Sequence, residues 1–134
     1  MRRIAPLAAA LSTTVALSAC AGDETLRGFV PEGSVWRLTE IDGTAFAARA
    51  TIRFPAPGKI AGDAPCNRYS GNQTAPYPWF RAERILSTKR ACADLSAEQL
   101  FFTALGRVTL AEVQGDVLIL SSPDGPVMVF TIQP

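Results

Sequence analysis

Apolar and polar residues alternate along this chain in short runs broken by Gly, Pro and Asp, the pattern of hairpin-linked strands. Val35–Ile41 is the first run, with Trp36 and Leu38 on one face, Arg37 and Thr39 on the other, and Asp42-Gly43 supplying a turn. Ala50–Phe54 repeats the pattern with Ile52 and Phe54 inward and Thr51 and Arg53 outward, until Pro55-Ala56-Pro57-Gly58 breaks it. Lys59–Gly62 begins a short third strand, Cys66–Gly71 reads as tight and irregular, and Arg84–Thr88 reads as a further strand. Ser96-Ala97-Glu98-Gln99 has the form of a capping box, with the Ser96 hydroxyl accepting from the Gln99 amide. It predicts a helix over Ala97–Leu105 capped by Gly106, whose apolar face is Ala97, Phe101 and Leu105 with Leu100 and Ala104 beside them. The last third predicts three strands, Val108–Val113, Val117–Leu120 and Val127–Ile132, joined at Gln114-Gly115-Asp116 and Ser122-Pro123-Asp124-Gly125. The elements together predict an α+β fold: a single small domain with an antiparallel, curved β-sheet meander or partial barrel and one helix packed on it.

Ala75-Pro76-Tyr77-Pro78-Trp79-Phe80 stands outside this pattern. Two prolines exclude a central strand. Tyr77, Trp79 and Phe80 lie so close in sequence that not all can point inward. Either Trp79 or Phe80 plugs the core from a loop, or the three form an exposed patch for a partner.

The N-terminus follows different rules. Met1-Arg2-Arg3 is basic, and Ile4 to Leu17 is uncharged and mostly Ala, Leu, Ile and Val, the layout of an export signal. The uncharged run sits at the lower end of the about 17–25 residues that a bilayer span needs, and Pro6 and its Ser/Thr content weaken it as a span. It closes on Leu17-Ser18-Ala19-Cys20, which resembles a bacterial lipobox. That resemblance implies a signal peptide over 1–19, cleavage before Cys20 and lipid on its sulfur; the alternative is an ordinary cleaved signal with an incidental Cys. Ala21 in place of Asp after the Cys resembles outer-membrane sorting. Residues 20–33, rich in Gly, Pro and charge, read as the lipidated Cys and a flexible tether, and 34–134 as the domain.

Composition narrows the chemistry. The 134 residues carry 13 Lys+Arg against 12 Asp+Glu, so no basic excess exists to neutralise phosphates, and nucleic acid is not an expected partner. Losing Arg2 and Arg3 with the leader leaves a slight acidic excess, and net charge alone gives the domain no pull toward anionic lipid. There is no His, which removes the commonest general base and metal ligand. Of three Cys, Cys66 and Cys92 remain after Cys20 is assigned to lipid. In an exported protein two such thiols usually pair, and the loop they would close contributes roughly 3.5 kcal/mol. Free buried thiols and a redox pair are the alternatives; the spacing is not Cys-x-x-Cys and nothing completes a metal site.

Several segments in order resemble the META domain family. Ser34-Val35-Trp36-Arg37-Leu38 before Ile41-Asp42-Gly43 is similar to its opening, and Cys66-Asn67-Arg68-Tyr69-Ser70-Gly71 to its Cys-Asn-x-aromatic-x-Gly signature. Thr88-Lys89-Arg90-Ala91-Cys92, then Glu98 with Phe102 and Leu105, and finally Gly115-Asp116-Val117-Leu118-Ile119-Leu120 continue the likeness to about Gln133. Ala64-Pro65 before Cys66 and the Pro-Tyr-Pro-Trp segment depart from it. The resemblance implies a compact α+β domain and roles tied to envelope stress or virulence, with no agreed reaction. Asn67 is expected to satisfy backbone groups in a tight turn and Gly71 to supply a positive φ.

The functional expectation is a non-catalytic, lipid-anchored envelope protein, facing the periplasm from the outer membrane, that binds an envelope component and supports stress tolerance. It needs no cofactor or metal. A second expectation is a binding module with a defined protein target, such as a secretion-system pilotin or a hydrolase inhibitor, contacting it through Tyr77, Trp79 and Phe80. A third, remote one is a thiol enzyme using Cys66 or Cys92, with Lys89 and Arg90 lowering the thiol's pKa. Glu83, Asp94 and Glu98 are the acids that the chain could bring together.

Overall fold

The structure, a computed structural model, describes residues 5, 9–11 and 22–134; most of the expected leader and the expected lipidation site, Cys20, lie outside it. Among the described residues nine strands form one antiparallel sheet: β1 (Val35–Ile41), β2 (Thr44–Ala45), β3 (Thr51–Arg53), β4 (Lys59–Asp63), β5 (Arg68–Asn72), β6 (Glu83–Ser87), β7 (Leu110–Gln114), β8 (Val117–Ser121) and β9 (Val127–Ile132). The helix α1 (Leu95–Leu105) lies between β6 and β7 in the chain. The sheet runs β6-β5-β4-β3-β1-β9-β8-β7, with β2 pairing β1 alone, and curls into a half-barrel. The α+β expectation of a curved antiparallel sheet with one helix describes the molecule.

Alternation builds the core as rows across the strands. Register pairs Ile132 with Trp36 and Trp36 with Ile52, Leu118 with Phe130 and Phe130 with Leu38, and Leu120 with Met128 and Met128 with Ile41. Leu38 and Ile41 are three apart, so a regular strand would send them to opposite faces. A bulge between Leu38 and Glu40 inserts the extra residue, and both are buried. Thr39, the extra residue, donates its hydroxyl to the Val129 carbonyl at 3.0 Å. Tyr69 meets Phe101 and Phe102 edge-on at 5.6 and 5.5 Å, locking the helix to β5. Its phenol, pushed up by burial, stays protonated and donates to the Thr51 carbonyl at 2.7 Å.

The Pro-rich segment spans the gap between the sheet's two free edges. It leaves β5, runs along β7 and enters β6 on the far edge. Phe80 N–H donates to Thr109 O and Ala111 N–H to Pro78 O, and Trp79 forms a single bridge with Leu110. On its other side the chain entering the domain lies against it: Thr25 bridges Pro76 and Tyr77 N–H donates to Glu24 O. Two prolines allow such isolated contacts but not a continuous ladder.

Several local expectations change. Arg68–Asn72, expected to be irregular, is a strand. Thr51, expected outward, is buried, because its hydroxyl accepts from Asp63 N–H at 2.9 Å. The helix begins two residues early with Asp94 as N-cap, the Asp94 carbonyl accepting from Glu98 N–H at 3.0 Å, so Ser96 lies inside the first turn and no capping box forms. Its buried face is Glu98, Phe101, Ala104 and Leu105, whereas Leu100 is 52% exposed. Residues 23–33, which composition reads as a tether, pack onto the domain, with a 3₁₀ turn over Leu26–Phe29 and Leu26 wholly buried.

Gly71 is not in the positive-φ region; it is needed for space. It sits at a bulge where Ser70 pairs with Leu86 and Asn72 with Glu83, and Arg84 opposite takes φ 51°. A methyl at Gly71 would lie 2.9 Å from the Glu83 carbonyl, a backbone atom that cannot step aside. Gly71→Ala is expected to destabilise the oxidised domain by about 2 kcal/mol in urea unfolding, in the range of core overpacking. An unchanged midpoint would show that the bulge has room.

Candidate functional site

The signature residues gather at one end of the sheet, where the turn from β4 to β5, the segment after β6 and the helix meet. Asn67 and Glu98 are 6% and 5% exposed, so their polar atoms must find partners within the protein. Glu98 Oε1 accepts from the Cys66 and Asn67 amides at 3.1 and 2.8 Å, and Oε2 from Asn67 Nδ2 at 2.7 Å. The second Nδ2 proton goes to Arg90 O at 3.0 Å. Asn67 Oδ1 accepts from Arg90 N–H at 2.6 Å and from the Thr88 hydroxyl at 2.9 Å. All four bonds available to an amide side chain are made. Beside them Cys66 and Cys92 are joined in a disulfide with Cα atoms 5.6 Å apart. The knot ties two loops and a helix together and uses every polar side-chain atom of Asn67 and Glu98, while the signature's Arg68 and Ser70 stay exposed.

Glu98 explains the helix face. Three N–H groups draw its carboxylate inward, which rotates the expected stripe and puts Leu100 outside. The signal for this was spacing: Glu98 precedes Phe101 by three and Leu105 by seven positions, on their face. Glu83 lies elsewhere, its carboxylate 2.9 Å from Arg81. Among the described residues no group of three or more His, Cys, Asp or Glu could hold a metal ion. No helix among them is long and apolar enough to cross a membrane.

The aromatic segment divides. Phe80 is 2% exposed and belongs to the core, so it is withdrawn from the expected contact surface. Trp79 is 57% exposed, and Tyr77 is half-buried, its hydroxyl accepting from Val113 N–H at 3.3 Å. Tyr77 stacks on Phe29 with centroids 4.3 Å apart, and Phe29 is itself 51% exposed. Sequence reasoning missed Phe29 because it assigned that stretch to a tether; Leu26 and Phe29 at i and i+3 were the available cue.

A further surface lies over β3, β4 and β5. Arg53, Ala61, Arg68, Ser70 and Leu86 line an open groove of about 400 Å³. The neighbouring Arg49 guanidinium is 3.5 Å from Asp63, with both side chains half-exposed. Basic residues on this half of the sheet outnumber its acids, a local excess that the near-neutral total conceals.

The family model described as the META domain matches residues 30–134, and the chain belongs to the META domain family. An NMR structure of a protein from Burkholderia xenovorans is 19% identical, covers 95% of this chain and 99% of that one, and superposes with a TM-score of 0.64. A crystal structure of a DUF4847 family protein from Bacteroides vulgatus is 14% identical over 79% of this chain and 96% of that one, with a TM-score of 0.62. These likenesses show a shared fold. The search of curated proteins found no match.

Glu98→Ala leaves three buried donors without their acceptor. It is expected to cost about 4 kcal/mol in urea unfolding of the oxidised protein. Leu100→Ala, on the same helix but in solvent, is expected to stay within about 0.5 kcal/mol of wild type. Equal losses in the two variants would contradict the observed helix face.

Proposed function

We propose that this META domain is a lipid-anchored, non-catalytic envelope protein that acts by binding an envelope component under stress. The observation carrying the non-catalytic part of this reading is the knot: Asn67 and Glu98 are bonded to one another and to backbone, and Cys66 to Cys92, so these four residues serve the fold. A bonded Cys66 and Cys92 offer no thiolate nucleophile, which weighs against the thiol-enzyme reading. The disulfide accords with export to an oxidising compartment and leaves Cys20 as the cysteine for lipid. A net-neutral domain with an arginine-lined groove is suited to holding an anionic envelope component.

The second reading is a defined protein target docking on Tyr77 and Trp79, and the exposure of Trp79 supports it. The first reading is tested at the amino terminus. Intact mass of the membrane-extracted protein is expected to give a chain beginning at a diacylated Cys20, and Cys20→Ser is expected to abolish that modification and release the domain from membranes. An unprocessed Met1 terminus, or wild type and variant fractionating alike, would overturn it.

A further inference from the structure

The exposed aromatic residues lie where the chain enters the domain. Asp23 is already ordered against it: the Thr25 amide and hydroxyl donate to its carboxylate at 3.0 and 2.6 Å, and Arg27 lies 3.5 Å away. The Thr25 hydroxyl holds the Asp23 carboxyl below its ordinary range, so this attachment is fully present above that range and is lost as pH falls through the lowered value. Thr25 then bridges Pro76 at the base of the aromatic segment, and four residues further on Phe29 stacks on Tyr77. Trp79 N–H donates to Pro76 O at 2.8 Å, closing the turn that presents the indole. Phe29, Tyr77 and Trp79 therefore share the end of the domain that holds its N-terminal entry.

The length of chain ahead of that entry is the deciding quantity. If Cys20 carries lipid, as proposed above, only three Cα steps separate it from Asp23, a reach of at most about 11 Å. The headgroup layer on each side of a bilayer is roughly 6 Å thick. With a lipidated Cys20 at the base of that layer, the tether reaches only about 5 Å beyond it, so this end of the domain is held at the membrane surface. Trp favours that zone, because its ring is apolar and its N–H stays wet; Tyr77, whose hydroxyl is held by the Val113 amide, and Phe29 add apolar ring surface beside it. Of the acids at this end, Asp23 and Glu32 share Arg27 at 3.5 and 3.8 Å and Glu24 is exposed, so charge does not draw this end to anionic headgroups and the aromatic rings carry the contact.

We infer that Phe29, Tyr77 and Trp79 form a second membrane contact, seated in the headgroup region of the bilayer that holds the Cys20 lipid. The acyl chains supply attachment, and the aromatic end fixes orientation, leaving the remaining faces of the sheet to the periplasmic side. The inference rests on the lipid-anchored reading, and its occupant is lipid rather than a protein.

The test uses the full lipidated protein in vesicles of phosphatidylethanolamine and phosphatidylglycerol, with Cys20 acylation confirmed by mass in the same sample. The chain has two tryptophans, and Trp36 is wholly buried. The emission removed by Trp79→Phe therefore reports Trp79. It is expected to shift to the blue, to resist aqueous iodide, and to lose most of its intensity when phosphatidylcholine brominated high on its acyl chains is included, while Trp36 emission holds. Acylated protein whose Trp79 remains open to iodide and insensitive to bromine would overturn the inference and leave the anchor standing. Shielding of Trp79 only when envelope proteins are added would overturn it in favour of a protein partner. A sample without acyl chains at Cys20 would overturn both readings.

Discussion

One buried carboxylate organises this domain. Glu98 reaches from the helix to the turn before β5 and accepts three N–H groups that have no other partner. Hydrogen bonds to a charged acceptor contribute about 1.5–3 kcal/mol each, and unpaired buried donors cost a comparable amount. The arrangement therefore fixes which helix face turns inward, and with it the seating of Phe101 against Tyr69. Asn67 extends the same network to the segment after β6, and the disulfide restates it covalently. The helix, the β4–β5 turn and the β6 edge are held as one unit.

That unit leaves the sheet's outer edges to be managed differently. An open curled sheet exposes the backbone of both terminal strands, a liability for edge-to-edge pairing. Here a Pro-rich segment crosses between β7 and β6, too irregular to recruit another strand and close enough to occupy the edge. The same segment receives the chain's entry into the domain. Closure, entry and exposed aromatics thus coincide in one place because one irregular stretch serves all three, and the arrangement places Phe29, Tyr77 and Trp79 beside the chain's entry into the domain.

The strand plan was legible because one-sided burial imposes a period of two, and the rows through Trp36, Leu38, Leu118 and Phe130 obey it. What escaped was set by tertiary partners. The bulge at Thr39 shifts phase without any Gly or Pro to mark it. The helix start at Asp94 and the inward turn of Glu98 depend on amides some thirty residues away, which no local propensity encodes. Gly71 was recognised as necessary but for the wrong reason: its site demands room rather than a left-handed backbone. Phe80 and Trp79 are neighbours with opposite fates, and adjacency alone could say only that they must differ.

The Cys66–Asn67 turn is held by the Glu98 carboxylate. Native-state hydrogen exchange at the Cys66 and Asn67 amides, with the disulfide intact, reads it most directly. Both amides should exchange as slowly as the central strands, and Glu98→Gln should accelerate these two well before the strands. Exchange at the rate of an open loop in the wild-type protein would contradict it.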